Sequence, residues 1–170
     1  MNETRSVPMI LTTSRLLLRD AVEQDSPMLR EYHSDPRYLE HYFEAPDTDS
    51  IVSCAIHWAR ECPRENYQLV VELKVSRKII GCIGLRQKGC ATGAAEIGVE
   101  LSPDYWGVGY ASEAVRELMH FASSSLAITT LLAATSPSNT RAGNLLKSCG
   151  FVQKGTRMNQ CLFQARVNAA

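Results

Sequence analysis

Glu96-Ile-Gly-Val-Glu-Leu-Ser-Pro-Asp-Tyr-Trp-Gly-Val-Gly-Tyr-Ala111 is the stretch on which the fold turns. Its first part alternates. Ile97, Val99 and Leu101 face one way, and Glu96, Gly98 and Glu100 face the other, which is the period of a strand with one buried side. Ser102-Pro103-Asp104 ends that strand. Gly107 and Gly109 follow in a turn, and helical spacing then begins, with Ala111, Ala114, Val115, Leu118, Met119 and Ala122 on one stripe. A glycine turn between a strand and a helix has two readings. It is a tight connection, or it is an anion cradle. In the second case glycine lets the backbone approach a ligand, and the first-turn N–H groups point outward at the positive end of the helix dipole. The Gly-x-Gly spacing alone does not separate the two. A dinucleotide site is disfavoured: there is no third glycine, and the next strand, Ile128 to Ala134, has no acidic residue for a ribose.

Toward the N-terminus, Ala95–Leu101 is preceded by two strands, Tyr67 to Val75 and Ile79 to Arg86, joined by Ser76-Arg77-Lys78. Before them Asp47-Thr48-Asp49 caps a helix whose apolar positions are Ile51, Val52, Ala55, Ile56 and Ala59. Asp25-Ser26-Pro27 starts an earlier helix that ends at Asp35-Pro36, with a short helix over Arg37 to Tyr42. Ser14 to Arg19 is a first strand. Toward the C-terminus come the strand Ile128 to Ala134 and a helix capped by Ser138 or Asn139. That helix has Ala142, Leu145, Leu146 and Cys149 on one face and stops at Gly150. Phe151 to Arg157 and Cys161 to Val167 close the chain as strands. Strands and helices in this order predict an α/β domain with a mixed sheet.

The chain has 170 residues, the size of one domain. Residues 1–10 are expected to be a loose tail and residues 11–168 the single domain. Apolar residues are 45% and charged residues 21%, which argues for a packed core. The formal net charge is zero, so neither nucleic acid nor a membrane surface is expected as a partner through bulk electrostatics, and any anion site must be local. No apolar run reaches the roughly 20 residues of a membrane span. Met1 to Pro8 is polar, unlike a signal peptide. The six cysteines and four histidines show no metal spacing, so no metal is expected, and the cysteines read as reduced, mostly buried thiols of a cytoplasmic protein.

Pro103 to Ala114 resembles the acetyl-CoA pyrophosphate loop of the GNAT superfamily of N-acetyltransferases. The likeness is to the branch holding the ribosomal-protein-alanine and -serine N-acetyltransferases (Rim-type). The family pattern is Gln/Arg-x-x-Gly-x-Gly/Ala; Trp106 stands at its first position, and Gly109 and Ala111 match. Arg15-Leu-Leu-Leu-Arg19 resembles the first strand of the branch. Ser138-Asn139 through Gly150-Phe151 resembles its last helix and the Gly-Phe that follows it. The likeness runs from about Leu11 to Val167, and three motifs in order are far more specific than one.

The resemblance implies a three-layer fold whose mostly antiparallel sheet splays open at the acetyl-CoA site between flanking helices. It also implies acetyl-CoA as co-substrate and direct attack of a primary amine on the thioester; dimers are frequent in the family. By the same resemblance, Leu101, Ser102 and Pro103 contact the pantetheine and acetyl group, and an amide near Leu101 acts as an oxyanion donor. Gly107, Val108, Gly109, Tyr110, Ala111 and Ser112 hold the pyrophosphate, and Asn139 stands near the pantetheine arm. Ala95-Glu96-Ile97 looks like the segment that carries the base in histone-acetylating members. Glu96 is therefore the first candidate for the catalytic carboxylate, and Glu100, on the same strand face, is the second. The family's thiolate-protonating Tyr and Ser fall on Leu146 and Ala142, which cannot donate; a water, or Tyr110 or Ser112 from the other side, could stand in. That departure motivates an alternative, a non-catalytic CoA-binding regulatory module. Tyr38, Glu40, His41, Tyr42, Phe43 and Glu44 form a mixed aromatic and acidic patch where the family receives its acceptor.

Overall fold

The computed structural model describes residues 8–41 and 45–168. Eight strands form one sheet in the order β1-β2-β3-β4-β5-β6-β8-β7. They are β1 (Ile10–Thr12), β2 (Leu16–Asp20), β3 (Asn66–Leu73), β4 (Ile79–Arg86), β5 (Ala94–Leu101), β6 (Thr130–Thr135), β7 (Val152–Arg157) and β8 (Gln160–Arg166). Every pairing is antiparallel except β5 with β6. The sheet is therefore mixed and mostly antiparallel.

Its two faces are covered separately, because strand side chains alternate. On β3, Leu69 and Val71 point into one core with Leu118 and Ala122 of α4 (Tyr110–Leu126). Val70, between them, points into a second core. That second core holds Leu29 and Tyr32 of α1 (Ser26–His33), Tyr38 of α2 (Pro36–Leu39), and Val52 and Ala55 of α3 (Thr48–Ala59). Helix, sheet and helix make three layers. The α4 stripe is the expected one, and Leu118 is fully buried, a contribution of about 1.5–3 kcal/mol for such a side chain.

The feature that makes a site is how β5 leaves β6. The two run parallel only from Ala94, Ala95 and Glu96 against Thr130, Leu131 and Leu132. Beyond Glu96, β5 stays on β4 as far as Leu101, while β6 stays on β8 as far as Thr135. The strands diverge, and α5 (Thr140–Ser148) begins at the mouth of the gap.

Several local expectations are revised. Asp25 does not cap α1; its carboxylate is taken by Arg19 (2.8 and 2.9 Å) and the Val22 amide, and the helix enters instead through a 3-10 turn at Glu23–Asp25. The short helix ends at Leu39, and Tyr42 lies outside the described residues. A strand begins at Ile10, and the Met9 amide is held by Asp20. The β3–β4 turn works without glycine because Arg77 itself takes a left-handed φ of 59°. Of the six thiols only Cys82 and Cys149 are buried; Cys62 is exposed and the rest are half-buried. Among the described residues, no helix is long and apolar enough to cross a membrane, and no group of three or more His, Cys, Asp or Glu could hold a metal.

Candidate active site

The turn from β5 to α4 supplies the first part of the site. Gly107 (φ 80°) and Gly109 (φ 86°) both lie in the left-handed region that disfavours a side chain. Among the described residues, the six backbone N–H groups from Gly107 to Ser112 donate to no protein acceptor. They converge at the N-terminus of the 17-residue α4, where the helix dipole adds about half a positive charge. Such an array of unpaired amides is built for an anion.

Glu113 fixes this turn to the start of the sheet. Its carboxylate accepts from Thr13 Oγ1 (2.5 Å), the Arg15 amide (2.9 Å), Ser14 Oγ (3.1 Å) and Arg15 Nε (2.6 Å). Arg15 also donates to the Val108 carbonyl, and its guanidinium lies 4.4 Å from the Tyr110 ring centre. Partial burial opposes ionisation of Glu113, but the hydrogen bonds outweigh it and hold its pKa down to about 2. A depressed folded-state pKa contributes stability above the unfolded value and loses it as pH falls toward the folded one. Glu113→Gln is therefore expected to be less stable than the wild type at pH 7. Urea melts should show the difference shrinking as pH drops from 4.5 to about 2.

The second part is the end of β5. Ser102 donates to the Ile80 carbonyl. In an antiparallel ladder alternate residues turn their backbone groups to the same neighbour. Leu101, paired with Gly81 in the non-bonded register, therefore turns its N–H and C=O away from β4 and toward the gap. Trp106 Nε1 takes the Leu101 carbonyl at 2.9 Å, which leaves the Leu101 amide facing the gap.

The third part is a buried polar cluster on the other face. Glu100 accepts from Tyr32 Oη (2.8 Å) and His33 Nε2 (2.9 Å) at Oε1, and from Tyr38 Oη (2.6 Å) at Oε2. His33 Nδ1 lies 2.8 Å from Thr48 Oγ1. With Glu100 ionised, His33 Nε2 carries the proton of the bond between them. Burial pushes the Glu100 pKa up, but the bonds from His33, Tyr38 and Tyr32 reverse this, and the net shift is below the usual carboxylate value. A group so held is charged at neutral pH and attracts a cation.

Two cavities meet at this point. One, about 390 Å³, is walled by Leu101, Trp106, Gly107, Gly109 and α4's first turn. The other, about 280 Å³, lies in the gap between Ile97–Glu100 and Ala133–Thr135. Val99, Glu100, Asn139, Ala142 and Leu145 line both. Asn139 also caps α5 through the Ala142 amide at 3.0 Å.

Of the residues singled out in the sequence, Glu100, Leu101, Gly107, Gly109 and Asn139 line these cavities, together with Tyr110, Ala111 and Ser112. Ser102, Pro103 and Val108 do not. Glu96 is exposed and lines neither cavity. Ser112 Oγ is bonded to the Gly109 carbonyl. In the acceptor patch, Tyr38 and His41 reach the first cavity and Glu40 is exposed, while Tyr42, Phe43 and Glu44 lie outside the described residues. Tyr32, His33 and Arg15 were not singled out as site residues. No spacing could reveal the first two, since they lie 68 and 67 residues from the carboxylate they serve.

Known proteins share this fold. A family model described as an acetyltransferase (GNAT) domain matches residues 15–152. An uncharacterized N-acetyltransferase, p20, of Bacillus licheniformis is 31% identical over 150 residues, covering 85% of this chain and 83% of the relative. A putative ribosomal-protein-serine acetyltransferase from Vibrio cholerae superposes with a TM-score of 0.78 at 17% identity, over 93% of this chain and 97% of that one. The Microcin C7 self-immunity acetyltransferase MccE, solved with acetyl-CoA and AMP, superposes with a TM-score of 0.76 at 15% identity, over 91% and 94%.

Proposed function

This chain belongs to the GNAT acetyltransferase family and is an acyltransferase, and from that premise we propose that it moves the acetyl group of acetyl-CoA directly onto a primary amine held at Glu100. The acceptor class covers small-molecule amines and protein N-termini. The observation that carries this reading is the junction of the two cavities at one ionised, triply hydrogen-bonded carboxylate.

In this reading the free amides from Gly107 to Ser112 hold the pyrophosphate, with Arg15 beside them. The pantetheine arm runs from them through the first cavity to the mouth of the gap between β5 and β6, where Asn139 and the unpaired backbone at the end of β5 receive it. The Leu101 amide meets the thioester oxygen and stabilises the charge that develops there. Use of acetyl-CoA is supported by the family and by its presence in MccE. A cytoplasmic setting, where acetyl-CoA is made and consumed, fits this use.

Magnitudes decide the role of Glu100. A primary amine has a pKa of about 8 to 10, at least four units above a carboxylate. Taking the proton from the ground-state ammonium would cost roughly 5 kcal/mol or more. Glu100, held below the usual value, is a poor base at that stage. Its charge acts instead after attack, when the nitrogen becomes cationic and acidic in the tetrahedral intermediate and sheds its proton to Glu100 or to water. Glu96 has no part in this geometry. The thiolate leaves without a dedicated acid, since Ala142 and Leu146 offer none and a thiol pKa of about 8.5 makes it a fair leaving group.

Deprotonation of the acceptor then sets the pH dependence. CoA-thiol release, followed with acceptors of amine pKa near 8 and near 10, should show an acidic limb of kcat/KM that moves with the acceptor. A limb fixed near neutrality for both would contradict this role. Absence of thiol release with every amine would favour the regulatory CoA-binding module, for which the comparisons offer no support.

A further inference from the structure

We propose that the second cavity selects an acceptor carrying a carboxylate beside its amine, a free α-amino acid, with Arg86 as the carboxylate's receptor. The inference rests on the acetyl-transfer reading above and deepens it by naming the acceptor class.

Arg86 and Glu100 both line this cavity and share one face of the sheet. On β4 and β5, three cross-strand pairs follow one another on that face: Cys82 with Glu100, Gly84 with Gly98, and Arg86 with Glu96. The middle pair has no side chains. A Cβ placed on Gly98 would find no atom within 4 Å, so the floor between the two charges is open on the β5 side. Gln68 Oε1 sits over Gly84, and Arg86 Nη2 reaches back to it at 3.0 Å. The guanidinium is thus drawn toward the glycine level, one step along the face from Glu100.

The spacing fits a zwitterion. Two residues along a strand and one strand across give a diagonal of about 8 Å between the levels of the two charges. An α-ammonium nitrogen and its carboxyl carbon are roughly 2.5 Å apart by bond lengths. Charge-assisted hydrogen bonds of about 2.8 Å at each end extend this to roughly 8 Å.

The Arg86 charge is also available. Its contacts are Gln68 and the Trp58 ring, whose centre is 5.4 Å from the guanidinium carbon. Among the described residues it makes no ion pair within 4.0 Å. Its cross-strand neighbour Glu96 is exposed and outside the cavity. A half-buried guanidinium, oriented by an amide and a ring and lacking a carboxylate, matches planar anions of this kind. The same charge repels a second ammonium, which disfavours polyamines, and a peptide N-terminus offers it only a neutral amide.

The test is CoA-thiol release by the intact protein with acetyl-CoA and three sets of acceptors: L-α-amino acids, their α-amides, and spermidine. The wild type should favour acid over amide in kcat/KM by about tenfold or more, the size of one charge-assisted hydrogen bond. Arg86→Gln should bring that ratio toward one, mainly by raising KM for the acids, and Arg86→Lys should keep part of it. Amides or spermidine used as well as the acids, or a ratio that survives in Arg86→Gln, would overturn the inference and leave acetyl transfer standing. No thiol release with any acceptor would overturn both.

Discussion

Glu100→Gln is expected to lower kcat/KM for amine acetylation by about 10²- to 10⁴-fold, the range for loss of a positioned proton-handling group. The charge lost is the one that attracts the ammonium and steadies the cationic nitrogen in the intermediate. The shape is kept, yet the hydrogen bonding is not. Glu100 accepts from Tyr32, His33 and Tyr38, whereas glutamine presents one oxygen and one NH₂ group. The Tyr38 hydroxyl can turn to accept from that NH₂, so the fold should survive with a modest loss of stability. Steady-state thiol release together with a thermal melt separates the two effects. A large fall in rate with a small change in Tm is the expected pattern. Glu96→Gln should change the rate by less than about threefold, as expected for an exposed residue outside both cavities. Equal losses in the two variants would sink the assignment of the charge to Glu100.

The other large effect is expected at Gly109. Its φ of 86° costs a side-chain-bearing residue about 1–3 kcal/mol. An added Cβ would also crowd Arg15 Nη2, at 3.3 Å. Gly109→Val escapes by shifting the turn, and the shift misaligns the amides from Gly107 to Ser112. Each charge-assisted hydrogen bond lost is worth roughly 1.5–3 kcal/mol. Acetyl-CoA affinity measured by calorimetry should fall by about 10²- to 10³-fold, or roughly 3–4 kcal/mol. The melting temperature should move far less, because Gly109 is exposed and lies outside both cores. Unchanged affinity in Gly109→Val would show that the anion binds elsewhere.

These two residues also mark what the sequence disclosed and what it withheld. The turn at Gly109 was legible because everything that defines it is local. Glycines that need positive φ, a strand period before them and a helical period after them all fall within about thirty residues. The Asn139 cap was legible for the same reason. Three layers, a mixed sheet and a gap ahead of α4 follow from such signals together with the family resemblance. What was not legible is tertiary. Asp25 has the spacing of a helix cap, but Arg19 claims its carboxylate across the β2–α1 connection. Glu96 and Glu100 are indistinguishable by alternation, since both lie on one strand face. Only the packing of α1 and α2 over the end of β5 tells them apart, because it brings Tyr32, His33 and Tyr38 to Glu100 and leaves Glu96 in solvent. Arg86 was hidden in the same way: its function depends on the glycine pair beside it and on Gln68 across the sheet.

Electron density for the protein crystallised with acetyl-CoA tests the central claim most directly. The pyrophosphate should lie within hydrogen-bond reach of the amides from Gly107 to Ser112, and the thioester oxygen on the Leu101 N–H. The acetyl carbon should stand where the two cavities join beside Glu100. A coenzyme bound away from the glycine turn, or an acetyl group pointing out of the β5–β6 gap, would contradict the account.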